Sequence, residues 1–173
     1  MTETLIPASI TREEYISLVD AANDHFVIVK DVTEPISNTT FQNDDDFSFP
    51  IAANEIWVAE YMLYIDGAVN TTGDFKANLV VPSGASGRWS MISQASNATT
   101  AFGAILNVSA PIGTLLTAGT VGANTIIPVL SRATIRNGAT PGTVDFQWAQ
   151  VTTDAGVPTR LFLDSSLTGQ RQR

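Results

Sequence analysis

The spacing of hydrophobic and polar positions changes once along the chain, close to residue 24. Before it, Tyr15, Leu18, Val19 and Ala22 recur at helical spacing. Thr11-Arg12-Glu13-Glu14 is a capping box: the Thr11 hydroxyl can accept from the amide three residues on, and Glu14 can accept from the Thr11 amide. Acidic side chains in that first turn suit the positive end of the helix dipole. Asn23-Asp24 closes the segment. The pattern predicts an arm containing Pro7 and a short amphipathic helix, together residues 1–24.

From His25 onward the period is two, which predicts strands. They run from His25 to Lys30, through Phe47-Ser48-Phe49, from Ile56 to Ile65, Phe75 to Val81, Arg88 to Ile92, Phe102 to Val108, Thr125 to Ile135, Thr143 to Gln150 and Arg160 to Leu163. Aromatic and β-branched residues such as Trp57, Tyr61, Tyr64 and Ile65 suit a pleated, half-buried surface. Asp66-Gly67, Pro82-Ser83-Gly84, Asn137-Gly138, Pro141-Gly142 and Asp154-Ala155-Gly156 carry turn chemistry. Eight or nine antiparallel strands predict an all-β, jelly-roll-like sandwich over residues 25–173, although other Greek-key orders fit the same pattern.

Composition narrows what such a sandwich does. Charged residues are 15% of the chain, against roughly 25% in a typical soluble domain. Thr, Ser, Asn and Ala take their place, as is common where protein faces protein. Residues 1–80 hold 14 acidic and 3 basic side chains and residues 81–173 hold 3 and 6, giving the net −8. Nucleic-acid binding needs clustered cations, so none is expected. The chain has no cysteine, which excludes disulfides and thiolate chemistry. Met1-Thr2-Glu3-Thr4 begins no secretory signal and no apolar run is long enough for a bilayer, so cytosolic synthesis and no membrane are expected.

Candidate chemistry is thin. The single histidine, His25, has no Ser or Asp partner at a motif spacing, and a junction residue bonded to backbone or water is the simpler reading. Glu55, Glu60 and Asp74 could in principle form a glycosidase pair but look like ordinary surface acids. The expectation is no catalytic residue, no metal and no cofactor. Asn43-Asp44-Asp45-Asp46 offers hard oxygen ligands, yet it lacks the alternation and glycine of a calcium loop. It reads instead as a solvated loop in which Asp44 or Asp46 bonds nearby backbone. Trp57 and Trp148 read as core; Trp89, beside a turn, is the one candidate platform for a sugar ring, against the simpler reading of core. The predicted helix either caps an open end of the sandwich or docks on another subunit.

One resemblance adds to this. Asn38-Thr39-Thr40, Asp44-Asp45-Asp46-Phe47, Phe49, Ala53-Asn54-Glu55, Trp57, Glu60, Thr72-Gly73-Asp74-Phe75-Lys76, Pro82-Ser83-Gly84 and Trp89 stand in an order that resembles a β-rich module of tailed-bacteriophage virion proteins. Gly142 to Gln150, Leu161 to Leu167 and Arg171-Gln172-Arg173 are similar to the way that module closes. The resemblance implies a jelly-roll-like sandwich, often trimeric, on the virion surface, as in capsid decoration (cement) proteins and tail or fibre proteins. With no shaft in front of the module, the expectation is a decoration protein that binds the major capsid protein or another virion protein. Tyr15, Leu18, Val19, Arg171 and Arg173 are the candidate contacts to capsid or neighbouring subunits. The alternative is a tail-fibre or receptor-binding tip that recognises host-surface glycans, with Trp89 as the platform.

Overall fold

The structure, a computed structural model, describes residues 24–69, 74–96 and 105–172. The predicted helix with Tyr15, Leu18 and Val19, and the terminal Arg173, lie outside the described residues. Within them every element is a strand, and there are twelve rather than eight or nine.

The larger sheet has the order β1 (His25–Val29), β12 (Ser166–Gln172), β4 (Ile56–Gly67), β9 (Gly122–Arg136), β6 (Ser86–Gln94) and β7 (Ile105–Pro111). β11 (Thr159–Leu161) pairs with the far end of β4 and carries β2 (Glu34–Ile36). The smaller sheet runs β3 (Gln42–Ile51), β10 (Gly142–Gln150), β5 (Phe75–Val80) and β8 (Leu116–Ala118). Every pairing is antiparallel. The result is an all-β, two-sheet sandwich whose eight-and-four division departs from the eight-stranded jelly roll that the sequence suggested.

Alternation makes the core. In β4, Trp57, Ala59, Tyr61, Leu63 and Ile65 point inward while Val58, Glu60, Met62 and Tyr64 point out. The smaller sheet answers with Phe47, Phe49, Phe75, Leu79, Phe146 and Trp148. Tyr61 meets Phe146 across the gap at 4.9 Å between ring centroids and Phe47 at 6.1 Å. Such pairs add about 0.5–1.5 kcal/mol each beyond their buried area.

Two predicted boundaries move. Asp66-Gly67 is the end of β4 and not a turn, because buried Asp66 accepts from the Asn124 amide at 2.7 Å and from Arg160, which holds the strand in the sheet. The acidic run is no solvated loop: it lies inside β3 at a bulge, where the register with β10 shifts between Asp145 and Gln147.

Candidate functional site

The outer face of the larger sheet combines two kinds of surface. One cross-strand row passes through Val29, Ser166, Met62, Leu130 and Ile92. Met62, Leu130 and Ile92 are exposed there, as are Ile126 and, at 73%, Ile105. Together with Pro128 they line an open groove of about 540 Å³. The apolar run Ile126-Ile127-Pro128-Val129-Leu130 produces it, since a strand that is apolar at both parities presents apolar side chains on both faces.

Farther along the same face the surface turns basic. Arg132 and Arg136 follow Leu130 on β9 at the outward parity, and Arg88 sits opposite Thr134 on β6. Arg132 lies 3.2 Å from Glu60, with both side chains exposed. Arg88 and Arg136 stand in no ion pair among the described residues. Sequence reasoning missed this face, though the even spacing of Ile126, Leu130, Arg132 and Arg136 was its signal.

The second feature is a buried lysine. Lys30 leaves β1 with its side chain enclosed by Glu34 of β2 and by Asp44 and Asp46 of β3. Nζ is 3.1 Å from carboxylate oxygens of both aspartates and donates to Glu34. The bulge in β3 turns Asp44 inward, where its Oδ1 accepts from the amides of Asp46 at 3.1 Å and Phe47 at 3.0 Å. The backbone-bonding role expected for Asp44 is therefore present. Burial alone lowers the Lys30 pKa, but the three carboxylates outweigh it and the net shift is upward. Burial pushes Glu34 up, against the opposing bond from Lys30. These three carboxylates could hold a metal ion by their spacing, but the Lys30 ammonium occupies their centre. Lys30 belongs to the larger sheet and Asp44 and Asp46 to the smaller, so the cage is a polar clasp between the two.

The remaining candidates are distributed rather than assembled. His25 opens β1 opposite Gln170 and shares a cleft of about 460 Å³ with Phe26, Pro50, Glu55, Trp57 and Arg171. Glu55 there accepts from the Trp57 indole, the Ala52 amide and Arg171, each at 2.9 Å. Burial raises its pKa, but these donors outweigh that and hold it below the usual carboxylate range. Arg171 also bonds Asp24, so this candidate contact is engaged within the chain. Glu60 faces outward from β4, on the opposite side from the Glu55–Trp57 contact. Asp74 is buried at the start of β5 and accepts from the Thr120 amide at 2.9 Å. No pair of these acids is brought together across a shared cleft.

Trp89 is 1% exposed and its indole N–H donates to the Thr114 carbonyl at 3.0 Å. That corrects the platform expectation: at β6 the inward parity places the ring in the core, with no face for a sugar. Trp57 and Trp148 are buried as expected.

No family model matches the chain, and no curated protein is similar to it in sequence. Among solved structures it is similar to the tripod (BppUct-A-L) from the baseplate of bacteriophage Tuc2009, at 12% identity and a TM-score of 0.35, over 99% of this chain and 74% of that one. It is also similar to VP2 of an infectious bursal disease virus subviral particle, at 12% identity and a TM-score of 0.26, over 86% of this chain and 41% of that one. The Gt strain of the same virus aligns at 11% identity and a TM-score of 0.23, covering 85% and 39%. This chain thus spans about two fifths of the VP2 chains. Likeness at this level fixes neither ancestry nor task.

Proposed function

We propose that this chain is a structural protein of a tailed-phage virion, and within it a capsid decoration (cement) protein. It is made in the bacterial cytoplasm and binds the outer capsid surface as a homotrimer, against the major capsid protein or another virion protein. The observation that carries the reading is the outer face of the larger sheet, where Met62, Ile92, Ile105, Ile126 and Leu130 stay exposed in one groove. A contiguous apolar patch of this kind marks an interaction surface rather than an ordinary solvated one.

The sequence resemblance supports the same reading from another side. Phe47, Phe49, Trp57, Phe75 and Trp89, which stand in the virion-module pattern, are all buried core residues here. So are Phe146 and Trp148 of its closing segment. The likeness therefore rests on residues that make the sandwich, not on its surface.

The test is to label the chain and image particles, with the purified protein sedimented in parallel. Label over the shell and a trimeric mass are expected. Label confined to the tail, or a strict monomer at micromolar concentration, sinks the decoration reading. In the tail case a glycan array on the purified chain would decide whether it is a receptor-binding tip.

A further inference from the structure

We infer that the outer face of the larger sheet receives the N-terminal segment, residues 11–22, of a second copy. The inference rests on the self-association proposed above and names the surface that performs it.

Chemical complementarity comes first. The segment has an apolar stripe of Tyr15, Leu18 and Val19 preceded by the acidic Glu13 and Glu14. The receiving face has an apolar groove around Leu130 followed along the same strand by Arg132 and Arg136, with Arg88 alongside. Spacing matches as well. In a helix Glu14 precedes Leu18 by four residues, about 6 Å. On β9, Leu130 and Arg132 are two residues apart, about 7 Å. A helix seated with Leu18 over Leu130 brings its acidic first turn to the arginines.

Reach selects a second copy over the same one. The chain enters the sheet beside Arg171, whose amide donates to the Asp24 carbonyl at 2.7 Å. His25 lies in the row of Gln170, Val58 and Thr134, and Leu130 lies four residues farther along and three strands across. That separation is roughly 20 Å over the sheet surface. With residues 11–22 helical, Leu18 stands about 13 Å at most from residue 24. Its own groove is out of range, whereas a neighbour's is not. Each copy then gives one segment and receives one, a head-to-tail contact that closes a ring when the rotation permits.

The cysteine-free sequence makes the test clean. Leu18→Cys combined with Leu130→Cys in the full chain, oxidised at micromolar concentration, is expected to join residues 18 and 130 of different copies into a covalent multimer on non-reducing gels. Leu18→Cys with Val80→Cys, exposed on the other sheet, is the control and is expected to stay largely unlinked. A bridge within one copy, or linking no better than the control, overturns the inference. Sedimentation of the same samples separates the two ideas: a trimer without the bridge leaves the function standing and removes this contact, while a monomer removes both. Should the cysteine pair fold poorly, charge reversal provides a second measurement. Glu13→Arg with Glu14→Arg is expected to weaken association about tenfold, and Arg88→Glu with Arg136→Glu to restore it. Unchanged association in the first variant also overturns the inference.

Discussion

Lys30 sets a buried ammonium among Glu34, Asp44 and Asp46, and only Asp44 is fully enclosed with it. Removing the cation would leave carboxylates without a counter-charge in the sandwich wall. Lys30→Met is therefore expected to cost about 3–5 kcal/mol at neutral pH, read by urea denaturation. The carboxylates left behind would have raised folded-state pKa values, so the deficit should narrow as the pH falls toward their titration range. A deficit independent of pH would mean the ammonium is not what neutralises them. Glu55 carries the opposite sign. Its folded pKa is depressed, so its contribution is present above the unfolded value and lost as pH falls through the folded one. Glu55→Gln should flatten the acid limb of the stability curve. An unchanged limb would show that other carboxylates set it.

At the scale of the strand, the alternating segments were legible and the non-alternating ones were not. β4, β5 and β10 announce themselves because one of their faces is apolar and the other polar. β12, Ser-Leu-Thr-Gly-Gln-Arg-Gln, has only one apolar side chain and yet lies between β1 and β4. Its place is specified by its neighbours: Gly169 leaves room for Phe26, whose ring packs on Phe49 and Trp57 at centroid distances of 5.0 and 5.6 Å. A Cβ at Gly169 would come within 2.2 Å of that ring. Gly169→Val should displace Phe26 and loosen β1, at about 1–3 kcal/mol. Hydrogen exchange would detect it as lost protection over residues 25–29 with β5 and β10 unchanged, and full protection of β1 would refute the account. The acidic run was misread for a related reason. Its partner Lys30 is 14 residues away in sequence, and nothing in the run itself reveals that a cation will meet it.

For the whole molecule, the two faces of the larger sheet divide the work. The inner face supplies the core that made the sandwich legible from composition and period. The outer face supplies a groove and three arginines whose adjacency depends on how β6 pairs with β9, which no local pattern reveals. The same dependence explains why the carboxylates considered for catalysis read as plausible along the chain and lie apart in space. Glu55 closes the cleft beside Arg171, Glu60 faces solvent, and Asp74 anchors Thr120.

The position of the Lys30 clasp also decides how the sandwich bears tension. Residues 24 and 171 are hydrogen-bonded neighbours, and β1 runs antiparallel to β12 from there. A pull between residues 24 and 172 therefore opens this pair from its first rung, like a zipper, at low force. At Lys30 the geometry changes, because the next connection leads across to the opposite sheet. A single-molecule pulling trace should show an early soft extension of β1 and then a distinct force peak, and Lys30→Met should abolish that peak while sparing the soft phase. A peak that persists in the variant would place the mechanical stop elsewhere. A shell protein built in this way yields a few residues of slack before its core is strained.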